Sequence, residues 1–156
     1  MAMFDPVFSR LMIAYDGSEP SKHALEIAAK MATMFRGELI ILTVVPPETI
    51  PVIPGDAYSG VPVQSHYDFL DHVAELYKKA LDEAEKQIKG LYPDLKVEAV
   101  MTEGRPSKVI ADEAENRKVD LIVVGNRGLG GISGWILGST SRRVVDLCTK
   151  PILVVK

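Results

Sequence analysis

The sequence predicts an α/β fold: one open, parallel, five-stranded sheet of order 3-2-1-4-5 with helices on both faces. Two observations carry this. Short apolar, β-branched runs at residues 11–15, 39–45, 121–124 and 152–155 alternate with segments of helical spacing, which is how strands and crossover helices of a layered parallel sheet read. No composition shift and no period of 20 to 50 residues interrupts the 156 residues, so residues 1–156 read as one domain. Right-handed crossovers then leave few topologies, and 3-2-1-4-5 is the simplest.

Leu11 to Tyr15 is a buried strand, stopped by the turn-forming Asp16-Gly17-Ser18. Ser18 is placed to cap a helix in which Ala24, Ile27, Ala28, Met31 and Phe35 share one face, with Met34 beside them as core packing and Gly37 as the stop. Leu39 to Val45 is short and β-branched, a strand buried on both faces. Pro46 to Ser65 contains five of the ten prolines together with Gly55 and Gly60, so it reads as a long irregular loop. From about Tyr67 the longest helix turns Phe69, Val73, Tyr77, Ala80, Ala84, Ile88 and Leu91 inward. Lys96 to Thr102 alternates weakly as a strand, Gly104 turns the chain, and Pro106 opens a helix to about Arg117. Leu121 to Val124 is a buried strand; Ser141, Val144, Val145 and Cys148 mark a last helix, and Ile152 to Val155 a closing strand.

Composition is that of an ordinary globular chain, with 47% apolar and 25% charged residues. A formal charge of -3 argues against a nucleic-acid or anionic-membrane binder, whose affinity needs excess positive charge. No apolar run reaches the roughly 18 residues of a membrane helix, and no secretion signal is visible, so a cytoplasmic location is expected. Cys148 is the single cysteine; it excludes an internal disulfide and reads as a buried, inert thiol.

The anomaly is glycine, since six of the twelve lie between Gly125 and Gly138. The segment from Gly125 to Ser141 sits between strand four and a helix that begins with Ser139, Thr140 and Ser141. Helix starts present unpaired amides and a positive dipole end, and glycine lets a ligand approach the backbone. With the three hydroxyls and Arg127 as further donors, the segment suits a polyphosphate; the plainer alternative is a surface loop with a capped helix. Order 3-2-1-4-5 reverses its winding between strands one and four, so Asp16 and this segment meet at the crevice where open α/β sheets bind ligands. Known signatures do not fit. A P-loop needs Gly-Lys-Ser/Thr, but Ser139 follows Gly138 directly; a dinucleotide fingerprint on Gly128 and Gly130 would need glycine at position 133, which is Ser133. A nucleophile elbow around Ser133 fails at Trp135.

Gly125-x-x-Gly128, nine residues, then Gly138-Ser139 resembles the motif of the ATP-binding branch of the universal stress protein family. Strand one ending in Ala14-Tyr15-Asp16-Gly17-Ser18, the Gly104-Arg105-Pro106 turn and the closing Lys150 to Val155 are similar to that family as well. The resemblance covers nearly the whole chain and implies a Rossmann-like sheet that binds ATP and acts in stress responses, usually as a dimer. Carried onto this sequence, Gly125, Arg127, Gly128, Gly138, Ser139, Thr140 and Ser141 would surround ribose and phosphates. Asp16 would meet the ribose or a Mg2+ or Mn2+ ion held mainly by the phosphates; Ala14, Tyr15, Val44 and Val124 would border adenine.

Three classes of function follow: an ATP-dependent regulatory switch, a slow ATPase or self-phosphorylating enzyme acting on Ser139, Thr140 or Ser141, and a dimerisation module without nucleotide. Nothing beside Asp16 offers a catalytic base, so no catalytic residue is assigned. His23, His66 and His72 have no partners at metal-ligand spacing, and no protein metal site is expected. Arg142 and Arg143 turn outward. The apolar edge strand Ile152 to Val155 is a hazard unless covered, and pairing two such edges gives a homodimer.

Overall fold

The computed structural model describes residues 7–47, 63–128 and 137–156, with the side chains of 63–67 left aside. Most of the 46–65 loop, Gly130, Gly131, Gly134 and the His66 side chain lie outside the described residues. The elements run β1 (Arg10–Ala14), α1 (Glu19–Met34), β2 (Glu38–Val45), α2 (Val63–Leu91), β3 (Lys96–Glu103), α3 (Pro106–Asn116), β4 (Leu121–Gly125), α4 (Ser139–Leu147) and β5 (Ile152–Val155). All five strands are parallel in the order β3-β2-β1-β4-β5, as the sequence predicts.

Alternation along the central strands sorts the core into two layers. Leu11, Ile13, Leu39, Ile41 and Val123 pack with α1 and α2, through Ala24, Ala28, Leu81, Ala84 and Ile88. Met12, Ile40, Leu42, Ile122 and Val124 pack with α3 and α4, through Ile110, Ala114 and Val144. Burial on both faces explains why β2 reads as a nearly continuous apolar run, with Thr43 its one polar member after Glu38, rather than an alternating one.

Ser18 does cap α1: its Oγ accepts from the Ser21 amide at 3.3 Å, and Ser21 Oγ donates back to the Ser18 carbonyl at 2.9 Å. The stop is different from expectation. The left-handed residue ending α1 is Arg36 (φ 54°), and α3 ends the same way on Lys118 (φ 53°). In each case two amides fold back on the last turn: Arg36 to Thr33 and Gly37 to Ala32, Lys118 to Glu115 and Val119 to Ala114. Gly37 is therefore needed for space rather than for φ, since a Cβ there would stand 2.7 Å from the Ser9 carbonyl oxygen.

Other corrections concern helix faces. α2 starts at Val63, inside the expected loop, and Phe69 (54% exposed) and Leu91 face solvent rather than the core. Among the described side chains of α2, the buried ones fall where the helix crosses the sheet, at Leu81, Ala84 and Ile88. Met34 is exposed, while Phe35 meets Phe8 edge to face at 5.5 Å. On α4, Val144 is buried but Val145 is exposed, because only one side of this short helix packs toward α3 and the core layer of Ile110 and Ile122. Cys148 is half-buried, and burial, then the charge of Glu115, pushes its thiol up.

Asp120 holds the entry to β1, accepting from Ser9 N (2.9 Å), Ser9 Oγ (2.8 Å) and Arg10 N (2.8 Å). Burial alone would raise its carboxyl; these hydrogen bonds and the Arg10 charge outweigh burial and hold it below the usual 3.8. A carboxyl lowered by folding contributes stability above its unfolded pKa and loses it as pH falls through the folded value. Asp120→Asn is therefore expected to cost roughly 1–2 kcal/mol at pH 7. In thermal melts the gap to wild type should close as pH falls below the usual carboxyl value of 3.8 and through the lowered folded one; an unchanged gap refutes the assignment.

Candidate functional site

The first crossover, β1 to β2, moves one way across the sheet, and the return from β3 to β4 carries the chain to the other side of β1. Parting crossovers leave a crevice at the carboxyl ends of β1 and β4, and a cavity of about 320 Å3 opens there. Its floor is apolar: Ala14, Leu42, Val44, Ile110, Val124 and Val144 all belong to the α3 and α4 side of the core. Asp16, Ser21, Arg127, Thr140 and Ser141 supply polar groups, and the backbone of Gly125 and Gly128 comes between them. β2 continues three residues past Leu42, which pairs with the last residue of β1, and this extension brings Val44, with Pro46 after it, to the crevice.

Local packing accounts for each glycine at the site. A Cβ on Gly125 would meet Pro20 at 3.0 Å, so glycine lets the first turn of α1 approach the end of β4. A Cβ on Gly128 would fall 2.7 Å from Asp16 Oδ2, while Asp16 Oδ1 accepts from the Ser18 amide at 3.0 Å. The carboxylate is thus held on one side by a turn and bounded on the other by bare backbone. Asn126 ties the two described ends of the glycine segment together: its carbonyl accepts from Gly138 N at 2.7 Å, and its amide donates to Val155 O at 2.8 Å. Gly138 caps α4 without a side-chain hydrogen bond, so among the described residues no cap side chain competes with an outside acceptor for the amides of the first turn.

Of the residues expected at the site, Ala14, Tyr15, Asp16, Val44, Val124, Gly125, Arg127, Gly128, Thr140 and Ser141 line the cavity together. Gly138 and Ser139 stand outside its lining, at the helix start. Ser141 differs in detail from the phosphate donor expected: its Oγ donates to Gly125 O at 2.8 Å, and a hydroxyl has one hydrogen. Tyr15 belongs to the opposite core layer, where burial pushes its phenol up against the nearby Lys22. Sequence reasoning missed Ser21, Leu42, Pro46, Tyr77, Pro106, Ile110 and Val144. Leu42 was available from the two-residue period, since it shares a strand face with Val44, and Val144 lies one turn from Ser141. Tyr77 had no local signal, because it arrives from a helix of the other layer.

Among the described residues no three His, Cys, Asp or Glu side chains gather where they could hold a metal ion, and no helix is long and apolar enough to cross a membrane.

A family model described as the universal stress protein family matches residues 8–156. Universal stress protein YxiE of Bacillus subtilis is 32% identical over 154 residues, covering 96% of this chain and all of that one. Universal stress protein UspA from Lactobacillus plantarum has the same fold, with a TM-score of 0.77 over 96% of this chain and 99% of that chain at 22% identity. A universal stress protein solved in complex with cAMP is similar at 25% identity and a TM-score of 0.64, covering 96% of this chain and 97% of that one.

Proposed function

The chain belongs to the universal stress protein family, and from that premise we propose that it is an adenine-nucleotide-binding regulatory protein whose ligand is ATP. The observation that carries this reading is one cavity at the switch point joining an apolar floor to a helix start without a side-chain cap. A purine needs the first and a phosphate chain the second. Ala14, Val44 and Val124 would border the base, Asp16 the ribose, and Arg127, Gly128, Gly138, Ser139 and Thr140 the phosphates. The cAMP complex of a relative supports an adenine ligand.

The donor set fits a metal-bound polyphosphate. Asp16 is the carboxylate of the described lining, so Mg2+ or Mn2+ would be held mainly by phosphate oxygens. Titration calorimetry with ATP, GTP and cAMP in magnesium is expected to show one ATP per chain and weaker GTP, and the small molecules released on denaturing the protein should include an adenine nucleotide. Absence of binding to any of the three refutes the reading.

We further propose a homodimer through β5. This strand lies at the sheet edge; Pro151 and Val155 turn their carbonyls to β4, so by alternation the Ile152 and Val154 backbone faces outward. Light scattering should give twice 17.1 kDa. Val154→Pro removes an outward N–H without touching the β4 ladder and should yield monomers; a wild-type monomer at micromolar concentration refutes the edge pairing.

A further inference from the structure

We propose that Tyr77 is a ligand-contacting residue supplied from the opposite layer of the sheet, through which occupancy of the cavity fixes the projecting half of α2. This rests on the nucleotide reading above and adds to it a route by which the bound state is displayed at the surface.

The geometry begins with helix length. The 29 residues of α2 span about 43 Å, whereas an eight-residue strand such as β2 or β3 spans about 26 Å. Four residues separate Leu91 from Lys96, so the carboxyl end of α2 lies level with the start of β3. The excess length therefore projects past the carboxyl ends of the strands, on the side where the cavity opens. Burial follows that division. Leu81, Ala84 and Ile88 are buried, but no described side chain from Asp68 to Ala80 is, and Phe69 and Leu76 are more than half exposed.

Where α2 leaves the sheet it passes over the turn that carries Asp16. Ala80 Cβ stands 3.5 Å from the position of a Cβ on Gly17, a residue with φ 81°, and Glu83 is close enough to act on the Tyr15 phenol. Three residues before Ala80, Tyr77 enters the cavity lining together with Asp16 and Pro46. Leu42, Val44, Ile110, Val124 and Val144 of the lining belong to the α3 and α4 layer, and among the described residues Tyr77 is the one that brings the projecting helix into the lining. A ligand that touches its ring is in contact with a segment in which no described side chain from Asp68 to Ala80 is fully buried. Contact made in the bound state and absent from the free one shifts the position of that segment, and by reciprocity any partner that fixes the segment tightens the ligand by the same factor.

Hydrogen exchange on the full chain tests this, with ATP and magnesium as the probe. In wild type, ATP should slow exchange of amides 68–79 together with those at the start of α4. In Tyr77→Ala, ATP should still bind, weakened by no more than roughly tenfold, and still protect α4, while protection of 68–79 is lost; Tyr77→Phe, which keeps the ring, should retain it. Equal protection of 68–79 in wild type and Tyr77→Ala overturns the inference, as does bound ATP that protects α4 but never α2. If ATP protects neither region in wild type, the nucleotide reading itself falls, and the inference with it. Should Tyr77→Ala lose its fold by circular dichroism, loss of α2 protection in Tyr77→Phe would overturn the ring contact.

Discussion

Replacing Gly128 with valine is expected to weaken ATP binding by about a hundredfold or more, equivalent to ~2.7 kcal/mol, while the free protein melts within a few degrees of wild type. Both halves follow from what surrounds that Cα. The first atom added would fall 2.7 Å from Asp16 Oδ2, and the two methyl groups beyond it would occupy the space between the carboxylate and the cavity mouth. Gly128 is exposed, and the atom it meets is the tip of a side chain rather than backbone. The fold can therefore relieve the clash by turning Asp16 away from the Ser18 amide, a local change of little consequence for the core. The ligand cannot, because the displaced carboxylate and the blocked backbone are the two groups it would need.

Gly128→Ala should show an intermediate loss. Combining it with Asp16→Ala should cost less than the sum of the two, since the carboxylate that an added Cβ strikes is then gone. Calorimetry on the four proteins measures the coupling. ATP affinity within threefold of wild type in Gly128→Val would remove this pair from the binding site.

The sheet order and the pairing of two distant segments were legible because both depend on patterns that survive folding unchanged. β-branched apolar runs report strands buried on both faces, and the switch point follows from connection handedness. Asp16 and Gly125 to Gly128 could then be placed together without any contact between them in sequence. What was not legible came from elements whose length or environment breaks the pattern. Phe69 keeps the helical period of Ala84 and Ile88, but the sheet has ended before α2 reaches it, so periodicity could not separate a core position from an exposed one. Tyr77 enters the cavity from another layer for the same reason. Ser141 was legible as a helix-start hydroxyl, but not the direction of its hydrogen, because Gly125 O is a partner that only the sheet-to-helix packing supplies.

Two glycines outside the site separate in sign, and the larger effect is at Gly37. Gly37→Ala is expected to destabilise by about 3 kcal/mol, at the upper end of overpacking costs, which for a chain of this size lowers Tm by roughly 6–12 °C. The new Cβ would stand 2.7 Å from Ser9 O and 3.0 Å from Ser9 C, with Phe8 O at 3.1 Å. None of these is a flexible tip. Ser9 O already accepts from Glu38 N at 2.9 Å, and the Ser9 and Arg10 amides are held by Asp120, so moving Ser9 aside would break the entry of β1 and its register with β2. Gly37 cannot retreat either, because its own amide closes the end of α1 on Ala32 O at 2.8 Å. Gly90 lies in α2 with nothing within 4 Å of an added Cβ, and there alanine only removes the conformational freedom that glycine has in the unfolded chain. Gly90→Ala should therefore raise stability by about 0.5–1 kcal/mol. Chemical denaturation of both variants checks the pair: a neutral Gly37→Ala would mean that the Phe8 and Ser9 backbone yields at small cost, contrary to the hydrogen bonds among Ser9, Arg10, Glu38, Asp120 and the Gly37 amide that define this corner.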